Sequence, residues 1–272
     1  MAIAISSVVL LLLLGISPVA VAAFVAYAIM LPPKDRGPYA LSWASFAVGI
    51  YALNSLRGVI YQDIKSHGRH VFAWYAIVGD RALLHGLAAP ELLQRWSATW
   101  LDWLALGLHF SHFIFFVPFT VAAWWSHRSY AIWAQRALLV VFAVSQAVFY
   151  LLPTEPPWLA SEQHLLPPIR HTTQILYARF IDAGTIRLVD TNPVAAMPSL
   201  HAAIPIVCAI VGWSAFPRPV AAIISSYAVL QCLGVMYLGE HYLVDVLAGA
   251  LLALFAARVT RGRVGAPLQA AL

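Results

Sequence analysis

The sequence is poor in charge: only 10% of its 272 residues are Asp, Glu, Lys or Arg, against about 25% in a soluble globular chain. So few charges cannot cover a water-facing surface, which excludes a soluble enzyme, a disordered protein and a nucleic-acid-binding protein. Cysteine is also scarce. Both cysteines, Cys208 and Cys232, lie inside apolar runs, so no disulfide framework is expected. The chain is instead 62% hydrophobic, with a mean hydropathy of +0.80, which indicates an integral membrane protein.

Long apolar runs predict seven membrane-spanning helices, because a helix needs about 20 apolar residues to cross a bilayer. The predicted spans cover 5–31, 39–61, 101–125, 133–152, 199–216, 219–237 and 241–259. The first apolar run has no basic leader and is longer than the roughly 7–15 residues typical of a signal peptide, so it is interpreted as a span. The predicted fold is therefore an all-α, polytopic membrane helical bundle, with a six-helix core and one N-terminal helix.

The chain divides into an N-terminal helix with its linker (1–38), a six-helix membrane domain (39–260) and a C-terminal tail (261–272). Two long segments interrupt the membrane domain. Segment 62–100 mixes charged and aromatic residues with short apolar stretches, which predicts interfacial helices. Segment 153–198 is rich in proline and must form a folded loop or cap, since irregular backbone cannot face lipid.

The distribution of charge predicts the orientation of the bundle. The loops at one face are short and, with the adjoining helix ends, carry eight basic residues and Asp35 as the only acid, whereas the other face holds both long segments. Short basic loops mark the cytoplasm. The tail is therefore expected in the cytoplasm and the long segments outside it, and a bacterial plasma membrane is the expected location. If 5–31 is not a span, the N-terminus moves to the cytoplasm and the rest is unchanged.

Two polar clusters, the first at residues 196–202 and the second at residues 237–245, lie at the same membrane level, at the starts of predicted helices. In the second cluster, His241 and Asp245 are four residues apart, so their side chains share a helix face. The carboxylate can accept the imidazole N–H, fix its tautomer and leave the other ring nitrogen as a nucleophile. In the first cluster, Pro198-Ser199 is typical of a helix N-terminus, where free N–H groups favour a phosphate. His201, which follows, could protonate a leaving alkoxide.

These clusters resemble two signatures of the type 2 phosphatidic acid phosphatase superfamily. Pro198-Ser199-Leu200-His201 is similar to its Pro-Ser-Gly-His signature, and the stretch from His241 to Asp245 is similar to its His-x-x-x-Asp core. The resemblance covers about residues 75–260 and implies a lipid phosphatase or phosphotransferase. Residues 39–260 would then be its catalytic domain.

Other features resemble the inositol phosphorylceramide synthase branch of that superfamily. Leu200 replaces the usual glycine and follows Met197 by three residues, and Pro156-Pro157-Trp158 follows the fourth predicted span. Asp80-Arg81-Ala82-Leu83-Leu84 resembles that branch more weakly. A transferase is thereby slightly favoured over a simple phosphatase, and the latter stays open.

The resemblance implies a role for each residue of the trio. His241 would be the nucleophile that forms a phosphohistidine, Asp245 would orient it, and His201 would be general acid and then general base. A phosphatase would pass the phosphoryl group to water, and a phosphotransferase would pass it to a lipid or sugar alcohol. The expected partners are a lipid phosphate or phospholipid substrate and the bilayer; no nucleic acid, cofactor or metal is expected.

The sequence departs from the superfamily in its phosphate-binding cations. The signature Lys-x6-Arg-Pro is absent, and Gly234 and Val235 occupy the positions of a Ser-Arg pair. A phosphoryl group in transfer still needs positioned cations and donors. The expected phosphate ligands are Ser199 at the helix start and three arginines of segment 153–198, near a helix expected over Thr172–Ile181: Arg170, Arg179 and Arg187.

Other interpretations stay open. A transporter or channel would use the same residues as a proton relay, although their gathering at one membrane level favours an enzyme. A metalloprotease would use the motif histidines and Asp245 as metal ligands, but His-Glu-x-x-His is absent. His109 and His112, three residues apart in the third span, are interpreted as a buried hydrogen-bonding pair rather than site residues. Glu240 is interpreted as an interfacial charge rather than a second acid.

Overall fold

The computed structural model describes residues 29–178 and 192–262. Within these ranges the regular elements are helices, apart from two isolated β-bridges, so the prediction of an all-α bundle is confirmed. The α-helices are α1 (Pro33–Ser66), α2 (Trp74–Leu83), α3 (Ala89–Leu93), α4 (Thr99–Ser126), α5 (Arg128–Leu151), α6 (Pro157–Glu162), α7 (Thr172–Tyr177), α8 (Leu200–Ala215), α9 (Arg218–Tyr237) and α10 (Leu243–Thr260). A short 3-10 helix, Gln94–Trp96, follows α3. The predicted span 5–31 lies almost entirely outside the described residues.

Among the described residues, three helices are long and apolar enough to cross a membrane: α5, α9 and α10. Helix α4 adds a fourth if its halves, Thr99–His112 and Ile114–Ser126, form one span with a bend of 54°. Pro118 lies in the second of these halves and has no N–H to donate to the carbonyl of Ile114 four residues earlier. The chain is an integral membrane protein.

The predicted spans at 39–61 and 199–216 correspond to α1 and α8. Neither helix is both as long and as apolar as α5, α9 and α10. Helix α8 is apolar but only 16 residues long, because Ser199 caps its start and the Phe216-Pro217 turn ends it. Helix α1 is 34 residues long and extends beyond the predicted span at both ends. Its length includes polar residues, among them Arg57.

Helix α8 lies at the centre of the bundle and packs against α4, α5, α9 and α10, while α1 packs on α5. In the contact between α8 and α10, Gly249 lies against Ser199 and the buried Ala202. Small residues let helix backbones approach closely, which is the main source of helix association in lipid. The N-termini of α8 and α10 are therefore held side by side.

The two long segments form a cap over this end of the bundle. Residues 62–100 contain the short helices α2 and α3, and residues 153–178 contain α6 and α7. Thr154 joins the two segments and the stretch before α8 through isolated parallel bridges to Phe72 and to Ala195. Its N–H donates to the carbonyl of Val194 at 2.8 Å. The helix expected over Thr172–Ile181 begins at Thr172 as α7 and ends at Tyr177, and residues 179–181 lie outside the described residues.

Candidate active site

His201 and His241 come into direct contact where α8 and α10 begin. His201 lies in the first turn of α8, and His241 lies in the turn between α9 and α10. Their Nδ1 and Nε2 atoms, respectively, are 3.1 Å apart, which is a hydrogen-bonding distance. His241 is buried, with 5% of its surface exposed. The structure therefore places the two histidines of the separate motifs in one cluster.

Asp245 stands behind His241, on the side away from His201. Its Oδ2 atom is 3.5 Å from His241 Nδ1 and also accepts the backbone N–H of Tyr242 at 2.9 Å. The carboxylate is fully buried, so its charge acts in a medium of low dielectric constant. This arrangement is satisfied when His241 carries its proton on Nδ1, its Nε2 holds the lone pair, and His201 Nδ1–H donates to that lone pair.

The backbones of α8 and α10 touch at this point. Ser199 donates its N–H to the carbonyl oxygen of Asp245 at 3.1 Å. Its own carbonyl oxygen lies so close to Gly249 that a Cβ atom there would be 2.4 Å away. Only glycine permits this approach, which sets the spacing between His201 and His241.

Ser199 itself acts as a helix cap. The residue is fully buried, and its Oγ accepts the N–H of Ala202 at 3.3 Å. This is the usual role of serine at the N-cap position. Ser199 was predicted to bind phosphate, and in this structure its hydroxyl is already engaged with the backbone.

Asp80 holds the first turn of α10 from outside and was not predicted as a site residue. Its Oδ2 accepts the N–H groups of Ala89 at 2.8 Å and Leu243 at 3.1 Å, and its Oδ1 accepts that of Val244 at 3.0 Å. Burial raises the pKa of Asp80, and the three N–H donors oppose that shift. A carboxylate at a helix N-terminus satisfies donors that have no partner within the helix. Asp80 thereby fixes the turn that carries His241 and Asp245.

His109 and His112 of α4 lie against His201. The His109 ring stacks on the His201 ring with centroids 4.6 Å apart, and the His112 ring lies 4.4 Å from it. Both side chains are buried. Their three-residue spacing predicts that they lie on one face of a helix, but nothing in the sequence indicates which helix this face contacts. The structure adds them to the cluster, although the sequence favoured a purely structural pair.

Of the three predicted phosphate-binding arginines, the structure describes only Arg170. Its guanidinium forms two hydrogen bonds to Asp102, at 3.0 and 3.3 Å, and one to the hydroxyl of Tyr237 at 3.3 Å. The hydrogen bond to Asp102 raises the pKa of Arg170. Its positive charge is therefore matched by a carboxylate in this structure. Arg179 and Arg187 lie outside the described residues.

Glu240, directly before His241, forms an ion pair with the cap. Its Oε1 lies 3.1 Å from His171 Nε2, and the His171 ring stacks on Trp158 with centroids 4.1 Å apart. Burial alone would raise the pKa of Glu240, but the hydrogen bond and charge of His171 outweigh it and bring the pKa to about 2. Glu240 thus ties the turn carrying His241 to segment 153–198.

Within residues 29–178 and 192–262, no group of three His, Cys, Asp or Glu side chains is arranged to hold a metal ion. The cluster has the parts of a nucleophilic site: an imidazole whose Nε2 holds a lone pair, a buried carboxylate behind it and a second imidazole within hydrogen-bonding distance of that nitrogen. Fold and site together define a membrane-embedded helical protein with a histidine–carboxylate centre.

Residues 81–259 match the family model of the PAP2 superfamily, and the chain belongs to this superfamily. No curated protein and no solved structure matches the chain. Membership confirms the resemblance at the level of the superfamily and supports a phosphatase-type function on a lipid phosphate in a membrane. It does not favour the transporter or channel alternative.

Proposed function

We propose that this protein is an integral-membrane lipid phosphatase or phosphotransferase that works through a phosphohistidine on His241. The observation that supports it best is the order of groups in the cluster. Asp245 faces one nitrogen of His241, and His201 faces the other. This is the order that nucleophilic catalysis with an oriented imidazole requires.

In the first half-reaction, the lone pair on His241 Nε2 attacks the phosphorus atom of the lipid phosphate. The new N–P bond forms as the P–O bond to the lipid breaks, and that bond's electron pair stays on the leaving oxygen. His201 enters this step as an imidazolium, gives this oxygen a proton and becomes a neutral imidazole, so that the lipid departs as an alcohol. Asp245 stabilises the positive charge on the His241 imidazole. Because His201 and His241 touch directly in this structure, they must separate to admit the phosphoryl group.

In the second half-reaction, His201 acts as the base that the first step left unprotonated. It takes a proton from the acceptor O–H, whose oxygen attacks phosphorus as the N–P bond breaks and its electron pair returns to His241. Water as acceptor gives inorganic phosphate, and an alcohol gives a new phosphate ester. Both centres then have their starting protonation.

We favour transfer to an alcohol, as in the inositol phosphorylceramide synthase branch that the sequence resembles. The Pro156-Pro157-Trp158 segment shared with that branch reaches the site loop, since the N–H of Trp158 donates to the carbonyl of Gly239 at 3.1 Å. The indole of Trp158 also stacks on His171, which holds Glu240. The acceptor would thus enter past a segment that contacts the loop carrying His241.

The phosphohistidine is tested by trapping. Detergent-purified protein is incubated with a panel of radiolabelled lipid phosphates, quenched in alkaline detergent and separated by electrophoresis. We expect a label that survives alkali and is lost in acid, as an N–P bond would be. It should be absent from His241→Ala and present in a control at an exposed histidine, His85→Asn. Equal labelling of His241→Ala would overturn the assignment.

The acceptor is identified in the same preparation. Free phosphate and new phospholipids are measured with water alone and with added lipid or sugar alcohols, inositol among them. A new lipid ester formed at the expense of free phosphate identifies a transferase. Release of free phosphate that no alcohol diminishes identifies a phosphatase.

We propose that the site faces the extracytoplasmic side of a bacterial plasma membrane, with the C-terminal end of α10 in the cytoplasm. The single-cysteine variants Glu162→Cys and Gly262→Cys, made without Cys208 and Cys232, test this orientation because both positions are exposed. An impermeant thiol reagent added to intact cells should label only the first. Labelling of the second alone would reverse the orientation.

A further inference from the structure

Helix α4 brings two imidazole rings into contact with His201. The His109 and His201 rings are stacked, with centroids 4.6 Å apart and an angle of 27° between their planes, and the His112 ring is tilted by 42° at a centroid distance of 4.4 Å. Aromatic rings at such distances touch directly. Both histidines are buried, with 7% and 6% of their surfaces exposed. His201 is therefore held by ring contacts with α4 as well as by its hydrogen bond to His241.

A single face of α4 makes both contacts. His109 and His112 are three residues apart in the first half of the helix, so their side chains lie on the same face. Helix α4 packs along α8, which carries His201 in its first turn. Ser111 lies on a different face, since its hydroxyl is 2.8 Å from the hydroxyl of Tyr227 in α9. The face of α4 that meets His201 is the one that the two histidines share.

Ring contacts fix a property of His201 that its own rotamer leaves open. The last side-chain torsion of histidine has a broad energy profile, so the plane of the ring is set by what surrounds it. The stacked His109 ring restricts rotation of the His201 ring, and the His112 ring limits its displacement. The direction in which a ring nitrogen can give a proton follows from the plane of the ring.

These contacts gain importance when the substrate is bound. In the structure, His201 is also held by the 3.1 Å hydrogen bond between its Nδ1 and His241 Nε2. The phosphoryl group has to enter between these two imidazoles, so that hydrogen bond is broken in the reacting complex. The contacts with α4 are made by other rings and need not be broken.

We infer that His109 and His112 are positioning residues for the general acid: their rings hold the His201 imidazole in the plane from which it protonates the leaving oxygen. The inference rests on the proposed function, because it concerns the acid of the same site. The two residues act through His201 and exchange no proton with the substrate. A catalytic group displaced by about 1 Å can lose on the order of 100-fold in rate, so both rings contribute to turnover of a substrate whose leaving group needs a proton.

The test compares two substrates in each variant. A lipid phosphate needs a proton on its leaving oxygen, whereas an aryl phosphate has a leaving group that departs without one. Detergent-purified wild type, His109→Leu, His112→Leu and His201→Ala are assayed for kcat on both substrates, and their unfolding temperatures are measured. We expect each leucine variant to lose about 10- to 100-fold on the lipid phosphate and less on the aryl phosphate. A role confined to packing would lower kcat on both substrates alike, and that result would overturn the inference.

A double-mutant comparison shows whether the rings act through His201. His109→Leu or His112→Leu, added to His201→Ala, should cause little further loss on the lipid phosphate, because the group that they position is already absent. Losses that multiply would show that the two histidines act independently of His201 and would refute the inference.

Two further variants identify the property of the rings that matters. His109→Phe and His112→Phe keep a flat ring without its nitrogens, so they should retain most of the turnover that the leucine variants lose. Losses as large as those of the leucine variants would show that the ring nitrogens are required, which contradicts a role through ring contacts. A leucine variant that does not fold is replaced by the asparagine variant at the same position, which removes the ring but keeps a polar group, and the same comparison decides.

Ser111→Ala is the matched control, since it removes a polar contact of the same helix with α9 and leaves the face with the two histidines unchanged. Its ratio of turnover on the two substrates should equal that of the wild type. If the leucine variants also match the wild type on both substrates while His201→Ala does not, His109 and His112 do not position the acid, and the proposed function stands. If the wild type turns over neither substrate, the proposed function is wrong and this inference falls with it.

Discussion

Replacing Gly249 by alanine should separate the two histidines without touching either. A Cβ atom at Gly249 would lie 2.4 Å from the carbonyl oxygen of Ser199 and 3.3 Å from the Ala202 Cβ. The first distance is too short for any real contact, and the atom in the way belongs to the backbone, so no side chain can rotate aside. The start of α8 must move away from α10, and His201 moves with it.

The size of the effect follows from this distance. Ordinary contact begins near 3.4 Å, so the helices must separate by about 1 Å at this level, and overpacking of this kind typically costs about 1–3 kcal/mol. His201 lies two residues beyond Ser199 on the same backbone, so the displacement also shifts His201 from the position that it takes when the phosphoryl group lies between the two imidazoles. A displacement of about 1 Å in a catalytic group can cost on the order of 100-fold in rate. We therefore expect kcat to fall about 100-fold while the protein remains folded.

The assay measures release of phosphate or new ester at saturating lipid phosphate, together with the unfolding temperature in detergent. Gly107→Ala is the control, since Gly107 lies in a helix of the same bundle and a Cβ there meets nothing within 4 Å. That variant should keep full activity and gain slightly in stability, because alanine favours a helix over glycine. If Gly249→Ala matched Gly107→Ala in both measurements, the close approach of α8 and α10 would not control the site.

Three further outcomes are expected. Asp80→Ala should lower the free energy of unfolding by about 2–4 kcal/mol, since it leaves three backbone N–H groups without their acceptor; an unchanged melting curve in detergent would contradict this. His201→Ala should lose turnover of lipid phosphates but recover part of it with an aryl phosphate, whose leaving group needs no proton, whereas His241→Ala should recover none; identical losses on both substrates would refute the two roles. Because its ion pair with His171 lowers the pKa of Glu240 from its usual 4.5 to about 2, the pair contributes stability above pH 4.5 that is lost as the pH falls towards 2. The difference in unfolding temperature between the wild type and Glu240→Gln should shrink over that range, and a constant difference would argue against the pair.

Much of the fold could be predicted because crossing a membrane is a local property of sequence. The runs at 133–152, 219–237 and 241–259 were apolar enough to predict α5, α9 and α10 within a few residues. The predicted span 199–216 is only slightly longer than α8, since Ser199 and Pro217 mark the ends of the helix. Hydropathy was less informative for α1, because this helix contains polar residues and extends beyond the predicted span at both ends.

Within the candidate site, the sequence determined the relations between residues on one turn of helix. His241 and Asp245 face each other because they are four residues apart. Ser199 caps α8 because its side chain reaches the N–H groups of the next turn. The meeting of His201 with His241 was expected only from their membrane level and from the superfamily resemblance.

The tertiary structure alone decided which distant groups join this centre. Asp80 binds the N–H of Leu243 from 163 residues away, and His109 stacks on His201 from a different helix. Arg170 points to Asp102 rather than to the histidines. These contacts depend on which helix faces pack together and on how closely the helix backbones approach, as they do at Gly249. Hydropathy and spacing describe each helix by itself, so they carry no information about the side chain that will lie opposite when the helices come together.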